Sequence, residues 1–448
     1  MFRVVPAVAL AILGASTVLA ADSPPQCSLT QKCPEETPCC SQYGQCGVGA
    51  YCLGGCDPRM SFSLDACVPE PVCETKTMSM DSTDGIVDVS KYLGDATKAD
   101  WVAQGTPLSH NGNILLTMPP NSAGTVLAST VYMWYGNVKA RIKTSRDAGV
   151  VTAFILLSDV KDEIDFEWVG TELDIAQTNY YFQGIPDYTH STNITGVSNT
   201  NEEWHTYEIR WTPDKIEWYV DDKLGRTQQK SSTWNETANQ WDFPQSPARV
   251  QLSIWPGGDS KNAPGTIDWA GGPIDWESDD IKKDKYYYAT VGEVTIECYK
   301  TDKAPGTNSG KSYVYKNAKG TNDTIEDGDA NTVLKSLLGT GLDMDKDYPQ
   351  QSGSTQSGGG QEVIPGLSGG GPGTNGQAAG GSDGGSGSGT NGNGVTGTGS
   401  SGPACTQGFS QVCGPADGDS QSQAGRQERT IGASAFAALV AVGVMLLL

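Results

Sequence analysis

Cysteines are the feature that most constrains this chain, because nine of its 12 fall within residues 27–73. A segment of about fifty residues is too short to bury a stable core, and such a density is typical of small modules held by disulfides in oxidising compartments. The sequence therefore predicts a disulfide-rich module at residues 21–74. Cys405 and Cys413 are close enough to pair locally. Parity then leaves Cys298 to join a cysteine of the module, which would clamp the module to the next domain.

Both ends of the chain carry targeting patterns. The apolar run after Arg3 ends at small residues and predicts a signal peptide over residues 1–20. Residues 431–448 carry no charge, and a transmembrane helix is one interpretation. No Lys or Arg follows, however, and small residues with a polar spacer precede, so the pattern favours a GPI-attachment signal at residues 418–448 that is removed on anchoring. We therefore expect a secreted, cell-surface protein that is GPI-anchored to the plasma membrane, the cell wall or both.

The region between the module and the C-terminal signal changes character twice. Over residues 75–300, short alternating or apolar runs are separated by Gly, Asn, Asp and Pro, without a long amphipathic helix. This pattern predicts an all-β sandwich of two curved antiparallel sheets. Residues 301–417 are polar and then rich in Gly, Ser and Thr, which predicts a disordered stalk.

Charge and histidine content exclude several classes of function. A net charge of −22 opposes binding to nucleic acid. Three scattered histidines leave little room for a histidine-based metal site or a Ser-His-Asp triad. Sequons predict surface glycosylation at Asn193, Asn235 and Asn322.

The segment DEIDFEW, at residues 162–168, alternates acidic and apolar residues with the period of a β-strand. Glu163, Asp165 and Glu167 therefore share one face. The apolar residues between them face the other way and are expected to pack between the two sheets. An exposed strand with a polar outer face is the plain alternative, but no Lys or Arg interleaves the row to relieve its charge.

Two carboxyl groups flanking a sugar–sugar bond are the minimum equipment for cleaving it. One must be ionised to attack the anomeric carbon, and the other must be protonated to donate to the leaving oxygen. Neighbouring like charges raise one of the two pKa values, so the row itself sorts these roles. Retaining cleavage needs the groups roughly 5–5.5 Å apart, whereas residues i and i+4 of a strand lie about 13 Å apart at Cα. Strand curvature and inward-leaning side chains must close that gap.

Three separated segments resemble one family. DEIDFEW resembles the E-x-D-x-E signature of glycoside hydrolase family 16. SIWPGG, at residues 253–258, and GTIDWAGG, at residues 265–272, resemble its fungal Crh-type members, which are cell-wall transglycosylases that join chitin to β-glucan. The resemblance covers residues 75–300.

This resemblance implies a β-jelly-roll and assigns roles to the acidic row. Glu163 would be the nucleophile, Asp165 the auxiliary residue and Glu167 the general acid/base. It implies no cofactor and no metal.

Clefts that bind sugars offer aromatic faces together with polar groups that fix the hydroxyls. A core position is the alternative for each tryptophan, and an ordinary strand or turn position is the alternative for the polar candidates. The candidate substrate-binding residues are Gln177, Asn179, Tyr180, Trp211, Trp255, Thr266, Asp268 and Trp269.

The segment CCSQYGQCGVGAYC, at residues 39–52, resembles the hevein-like chitin-binding module. The resemblance implies a sugar patch of Ser41, Tyr43 and Tyr51, with Gln45 standing where a further aromatic usually sits. It also implies the disulfides Cys27–Cys40, Cys33–Cys46 and Cys39–Cys52. It leaves open the partners of Cys56, Cys67, Cys73 and Cys298.

Taken together, these features predict a monomeric cell-wall enzyme. We expect it to cleave β-1,4 linkages in chitin by retaining double displacement, and to transfer the fragment to β-glucan or chitin. One rival is a plain retaining endo-β-glucanase or chitinase, which would give only shortened chains. Another is a non-catalytic cell-wall lectin, against which the intact acidic row argues.

Overall fold

The computed structural model describes residues 24–185, 187–349 and 363–366. The predicted signal peptide, the Cys405–Cys413 pair and the predicted GPI-attachment signal lie outside these residues. Within them, no helix combines the length and apolar character needed to cross a membrane.

Strands dominate the described part of the chain. They are β1 (Cys39–Cys40), β2 (Cys46–Gly47), β3 (Glu70–Pro71), β4 (Lys76–Ser79), β5 (Ile86–Asp88), β6 (Trp101–Gln104), β7 (Thr106–His110), β8 (Asn113–Met118), β9 (Thr125–Met133), β10 (Gly136–Lys143), β11 (Val150–Ser158), β12 (Glu163–Val169), β13 (Ile175–Tyr181), β14 (Thr192–Thr195), β15 (His205–Trp211), β16 (Lys215–Val220), β17 (Lys223–Gln229), β18 (Trp234–Asn235), β19 (Gln240–Trp241), β20 (Ala248–Pro256), β21 (Tyr287–Cys298), β22 (Ser312–Tyr315) and β23 (Ile325–Gly328). Two short α-helices, α1 (Pro264–Trp269) and α2 (Asp279–Asp284), lie between β20 and β21. Single 3₁₀ turns occur at Gly49–Cys52, Leu64–Ala66, Tyr188–His190, Lys230–Ser232 and Asn322–Thr324.

Two large sheets form the body of the molecule. The front sheet has the order β14-β13-β12-β11-β20-β9-β6-β5, and all its pairings are antiparallel except that of β5 with β6. The back sheet has the order β17-β16-β15-β10-β21-β8-β7, with β4 also pairing β21. This architecture confirms the predicted all-β sandwich.

The core lies between the two sheets and explains the local sequence of β12. Ile164, Phe166 and Trp168 are at most 1% exposed and belong to this core. The rings of Phe166 and Trp168 stack 5.7 Å apart, and Trp168 meets Tyr207 of the back sheet edge-on at 4.4 Å. The apolar half of the alternation is therefore buried as predicted, which turns the acidic half to the opposite face, named here the carboxylate face.

The disulfide-rich module is stapled internally and tied to the sandwich. The structure contains the three pairs implied by the resemblance, Cys27–Cys40, Cys33–Cys46 and Cys39–Cys52. A fourth bridge joins Cys56 to Cys67. Cys298, at the end of β21, pairs with Cys73, across a sequence separation of 225 residues. This last bridge supplies the predicted clamp between module and sandwich.

The expectation that residues 301–417 form a disordered stalk is wrong for their first part. Strand β22 pairs with both β3 and β23, and Tyr313 is fully buried in the core between the sheets. Further along, Leu334 is 1% exposed and packs with residues of the module. The polar average of this region hides a few large apolar side chains, and those are the ones that anchor it.

The three sequons lie in different surroundings. Asn193 is exposed on the edge strand β14. The side-chain amide of Asn235 donates to Asp242 at 2.8 Å. That of Asn322 donates to the buried hydroxyl of Tyr135 at 3.2 Å, so its nitrogen is engaged in the folded chain. Of the three predicted glycosylation sites, Asn193 has the environment that a glycan requires.

Candidate active site

The carboxylate row stands on an inner strand of the front sheet. Strand β12 lies between β11 and β13, and its period of two places Glu163, Asp165 and Glu167 on the carboxylate face. Glu163 and Asp165 are each 2% exposed, and Glu167 is only half-buried. The row is therefore largely removed from bulk water while one member keeps access to a ligand.

Burial and mutual repulsion shift the protonation of the row. Desolvation, followed by the charges of Asp165 and Glu163, raises the pKa of Glu167 well above its usual value, while the nearby indole N–H of Trp255 opposes the shift. Desolvation also raises the pKa of Asp165 to about 7, opposed by the guanidinium of Arg226. The raised pKa of Glu167 favours its protonated form, which is the state that a general acid requires.

The next strand supplies polar groups directly beside the row. In the register of β12 with β13, Glu167 faces Gln177 and Asp165 faces Asn179. Both predicted polar residues therefore lie on the carboxylate face. The amide nitrogen of Asn179 donates to the hydroxyl of Tyr181 at 2.8 Å.

The expectation that Tyr180 faces substrate is wrong. It pairs with Ile164, is 3% exposed and belongs to the core, and its ring stacks on the partly exposed ring of His190 at 4.2 Å. Its neighbour Tyr181 pairs with Glu163 and takes the position on the carboxylate face. The alternation that placed Gln177 and Asn179 on one face also identifies Tyr181.

Two tryptophans flank the acid/base end of the row. Trp255, at the end of β20, stacks on Trp269 with ring centroids 6.0 Å apart. The indole nitrogen of Trp269 donates to Gln177 Oε1 at 2.8 Å, which ties helix α1 to β13 beside Glu167. Both predicted tryptophans are therefore at the site, although Trp255 is only 5% exposed.

The other predicted binding residues are placed less favourably. Trp211 is 1% exposed in the core, and its indole nitrogen donates to the carbonyl of Pro244 at 3.1 Å, so the expectation that it contacts sugar is wrong. Its strand alternates large apolar residues toward the core. Thr266 and Asp268 lie on α1, not on a loop, with Thr266 half-buried and Asp268 exposed.

Sequence reasoning missed two polar residues, Gln251 and Ser253, that lie beside the row on the carboxylate face and are named here the floor residues. Through β11, Asp165 is aligned with Gln251 and Glu167 with Ser253, both on β20. Gln251 Oε1 and Ser253 Oγ are buried and have no hydrogen-bond partner among the described residues. Each residue therefore keeps one unused hydrogen-bonding atom on the carboxylate face. The signal in the sequence was the pair of polar residues, Gln251 and Ser253, two positions apart in the strand segment RVQLSIW.

Lys161 brings a positive charge to the start of the row. It is 1% exposed with φ +69°, and its ammonium group donates to the backbone carbonyl of Gln42 at 2.9 Å. Burial lowers the pKa of Lys161 to about 8, while the charges of Asp57 and Glu163 act in the opposite direction. The cation is thus held between the module and the first carboxylate.

The expected chitin patch of the module is not open. Ser41 is 2% exposed, and Tyr43 and Tyr51 are each 1% exposed. The hydroxyl of Tyr43 donates to Gln104 of the front sheet at 2.6 Å. The expectation of an exposed sugar patch is therefore wrong. The residues expected to bind sugar pack against the sandwich instead.

The sequence was compared with models of known protein families and with individual known proteins. The family model described as glycosyl hydrolases family 16 matches residues 95–271, which contain the whole carboxylate row. The fold and the site are accordingly those of a glycosidase or transglycosylase.

Two relatives are similar over most of their length. The chain is 63% identical over 318 residues to Crh-like protein 3 of Botryotinia fuckeliana (strain B05.10), covering 71% of each protein. It is 55% identical over 347 residues to Crh-like protein 2 of Aspergillus fumigatus (strain ATCC MYA-4609 / CBS 101355 / FGSC A1100 / Af293), covering 77% of this chain and 78% of the relative. The solved structure of Crh5 transglycosylase in complex with NAG has a TM-score of 0.49 and 27% identity, covering 60% of this chain and 99% of that one. The chain belongs to glycosyl hydrolases family 16 and, within it, to the Crh-like proteins, which are enzymes of cell-wall glycosyl transfer.

Proposed function

We propose that this chain is a retaining transglycosylase that cleaves β-1,4 linkages in chitin and transfers the fragment to β-glucan or chitin. The observation that supports it best is the placement of Glu163 and Glu167 on one face of β12, with the pKa of Glu167 raised by burial and by its acidic neighbours. One ionised and one protonated carboxyl group are what double displacement requires.

In the first step, the carboxylate of Glu163 attacks the anomeric carbon and the glycosidic C–O bond breaks. The proton of Glu167 moves to the leaving oxygen, so the departing chain leaves as a neutral alcohol. A covalent glycosyl-enzyme remains, and Glu167 is now ionised.

In the second step, Glu167 removes a proton from a hydroxyl group of the acceptor sugar. That oxygen attacks the anomeric carbon, the bond to Glu163 breaks, and both residues return to their starting states. Two inversions at one carbon retain the β configuration.

Limited access of water favours transfer over hydrolysis. Glu163 is 2% exposed, and the floor residues Gln251 and Ser253 are each 1% exposed. An acceptor chain that lies along the carboxylate face, on a path named here the substrate groove, displaces the water that would otherwise resolve the intermediate.

The decisive experiment incubates the protein with a chito-oligosaccharide donor and a fluorescent β-glucan oligosaccharide acceptor. We expect a labelled hybrid product longer than the acceptor. Shortened donor chains without any labelled hybrid would instead establish a plain hydrolase. Binding of both sugars without cleavage would establish a lectin.

We also infer that the protein acts at the cell surface through a GPI anchor, from the apolar C-terminal run and the spacer before it. Phosphatidylinositol-specific phospholipase C should release the protein from intact membranes. Retention of the protein after that treatment would contradict a lipid anchor of this kind.

A further inference from the structure

The module lies on the same face of the front sheet as the catalytic row. Gln42 is the central contact, because its side-chain oxygen accepts from Arg249 at 3.0 Å and from Gln251 at 3.4 Å. Its backbone carbonyl accepts from Lys161. Three groups of the sandwich thus converge on one residue of the module.

The contact with Gln251 fixes how far the module stands from the chemistry. Asp165 on β12 is aligned with Ile155 on β11 and then with Gln251 on β20, so two strand spacings separate Asp165 from Gln251. At about 4.8 Å per spacing, the distance along the sheet is about 10 Å. The module therefore contacts the floor of the groove roughly 10 Å from Asp165.

The approach is too close for the module to be a loosely tethered arm. A Cβ atom on Gly54 would lie 2.3 Å from the Arg249 guanidinium, and one on Gly55 would lie 3.0 Å from the same group. The backbone N–H of Gly55 also donates to buried Asp159 at 2.9 Å. With the Cys73–Cys298 bridge behind it, the module is fixed in place.

Little space remains between the module and the sheet. The cavity there, bordered by Tyr43, Gln104 and Gln251, has a volume of about 40 Å³, which holds a few water molecules but not a sugar ring. Residues 363–366 close its outer side, since the carbonyl of Pro365 accepts from Gln104 at 3.0 Å and that of Val363 accepts from Ala50 at 2.9 Å. A sugar chain cannot pass through this end of the groove.

We propose that the module is a built-in end wall of the substrate groove, and that Gln42 and Tyr43 determine how many sugar units bind on that side of the cleavage point. This inference rests on the proposed function of the carboxylate row. It replaces the role of a free chitin-binding arm with that of a length-determining element. The surface that such a module would offer to chitin is used here to hold the wall against the sheet.

The first test maps where chito-oligosaccharides of increasing length are cleaved by the full chain. Gln42→Ala removes the side-chain contacts and leaves the carbonyl that holds Lys161. We expect this variant to gain roughly 10-fold in cleavage at positions that place longer fragments on the walled side. Gln42→Glu, which keeps an acceptor for Arg249, should retain the original pattern. An unchanged pattern in a folded Gln42→Ala protein overturns the proposal.

A second test does not depend on turnover and uses the Glu163→Gln background. Retention on insoluble chitin is compared for that protein with and without Tyr43→Ala, with exposed Leu29→Ala as the control within the module. Because the patch is buried, we expect retention to be unchanged or increased by Tyr43→Ala. If Tyr43→Ala alone lowers retention on chitin roughly 10-fold or more, the module is a free binding arm, and the end-wall proposal is wrong.

The two failures are distinguishable. Absence of any cleavage by the wild-type chain contradicts the proposed function, and the retention test still decides whether the module is a wall. Thermal melting of each variant establishes that it is folded before either result is interpreted.

Discussion

The indole nitrogen of Trp269 donates a 2.8 Å hydrogen bond to Gln177 Oε1, and Gln177 is the β13 partner of Glu167. A helix that follows β20 is thereby locked to the strand beside the catalytic row. The bond also holds the Trp269 ring against Trp255, 6.0 Å away. One contact between two distant segments thus positions the tryptophan pair beside Glu167.

Removing this contact should weaken substrate binding more than the chemical step. Trp269→Ala loses an aromatic face worth about 1 kcal/mol, and we expect KM for oligosaccharide donors to rise about fivefold. Trp269→Phe keeps a ring but not the N–H donor, so its KM should lie between those of the wild type and Trp269→Ala. Steady-state kinetics checks this, and an equal fall in kcat with unchanged KM would contradict the binding role.

Replacing the proposed nucleophile should abolish turnover without unfolding the chain. Glu163→Gln keeps the size of the side chain and removes its charge, and we expect a loss on the order of 10⁴-fold or more in kcat. Glu277→Gln, at an exposed position away from the row, is the matched control. A folded Glu163→Gln protein with undiminished turnover would exclude Glu163 as the nucleophile.

The raised pKa of Glu167 predicts the alkaline limb of the pH profile. The first step needs Glu167 protonated, so kcat/KM should fall as pH rises through its raised pKa. Glu167→Gln should lower the rate by about 10²–10⁴-fold and flatten that limb. A donor whose leaving group needs no proton should recover most of the first-step rate. If the alkaline limb persists in Glu167→Gln, the limb reports the titration of another group.

Local sequence predicted the carboxylate row because a period of two fixes which residues share a face. The same period, read from Gln177, selects Tyr181 rather than Tyr180, and read along β15 it sends Trp211 to the core. Residue type alone favours Tyr180 and Trp211 as sugar contacts, whereas the alternation assigns both side chains to the core. The pattern contained the correction.

Tertiary placement is what the sequence did not reveal. Nothing in the segment around Tyr43 indicates that its hydroxyl meets Gln104, 61 positions later. The order of residues 301–349 also depends on a few buried side chains, such as Tyr313, in a polar background. Both features arise from contacts between distant segments, which composition and periodicity do not record.

Buried acids should make the folded protein more stable at mildly acidic pH than at alkaline pH. Burial raises the pKa of Asp165 to about 7 and that of Asp159 to about 6, from usual values of 3.8, with Arg226 and Arg249 opposing the respective shifts. Between the usual and the raised values the folded chain binds more protons than the unfolded chain, so the free energy of unfolding must fall as pH rises.

We therefore expect the contribution of these two carboxyl groups to the free energy of unfolding to be complete below about pH 4. That contribution should be lost as pH rises through 6 and 7. Shifts of this size sum to a loss of about 7 kcal/mol at most. Denaturant unfolding at constant ionic strength from pH 4 to 8 measures it. Asp165→Asn carries no proton to lose and should flatten the upper part of the curve. If stability instead rises toward pH 8 in the wild-type chain, these carboxyl groups are ionised in the folded state and the protonated form of the row is excluded.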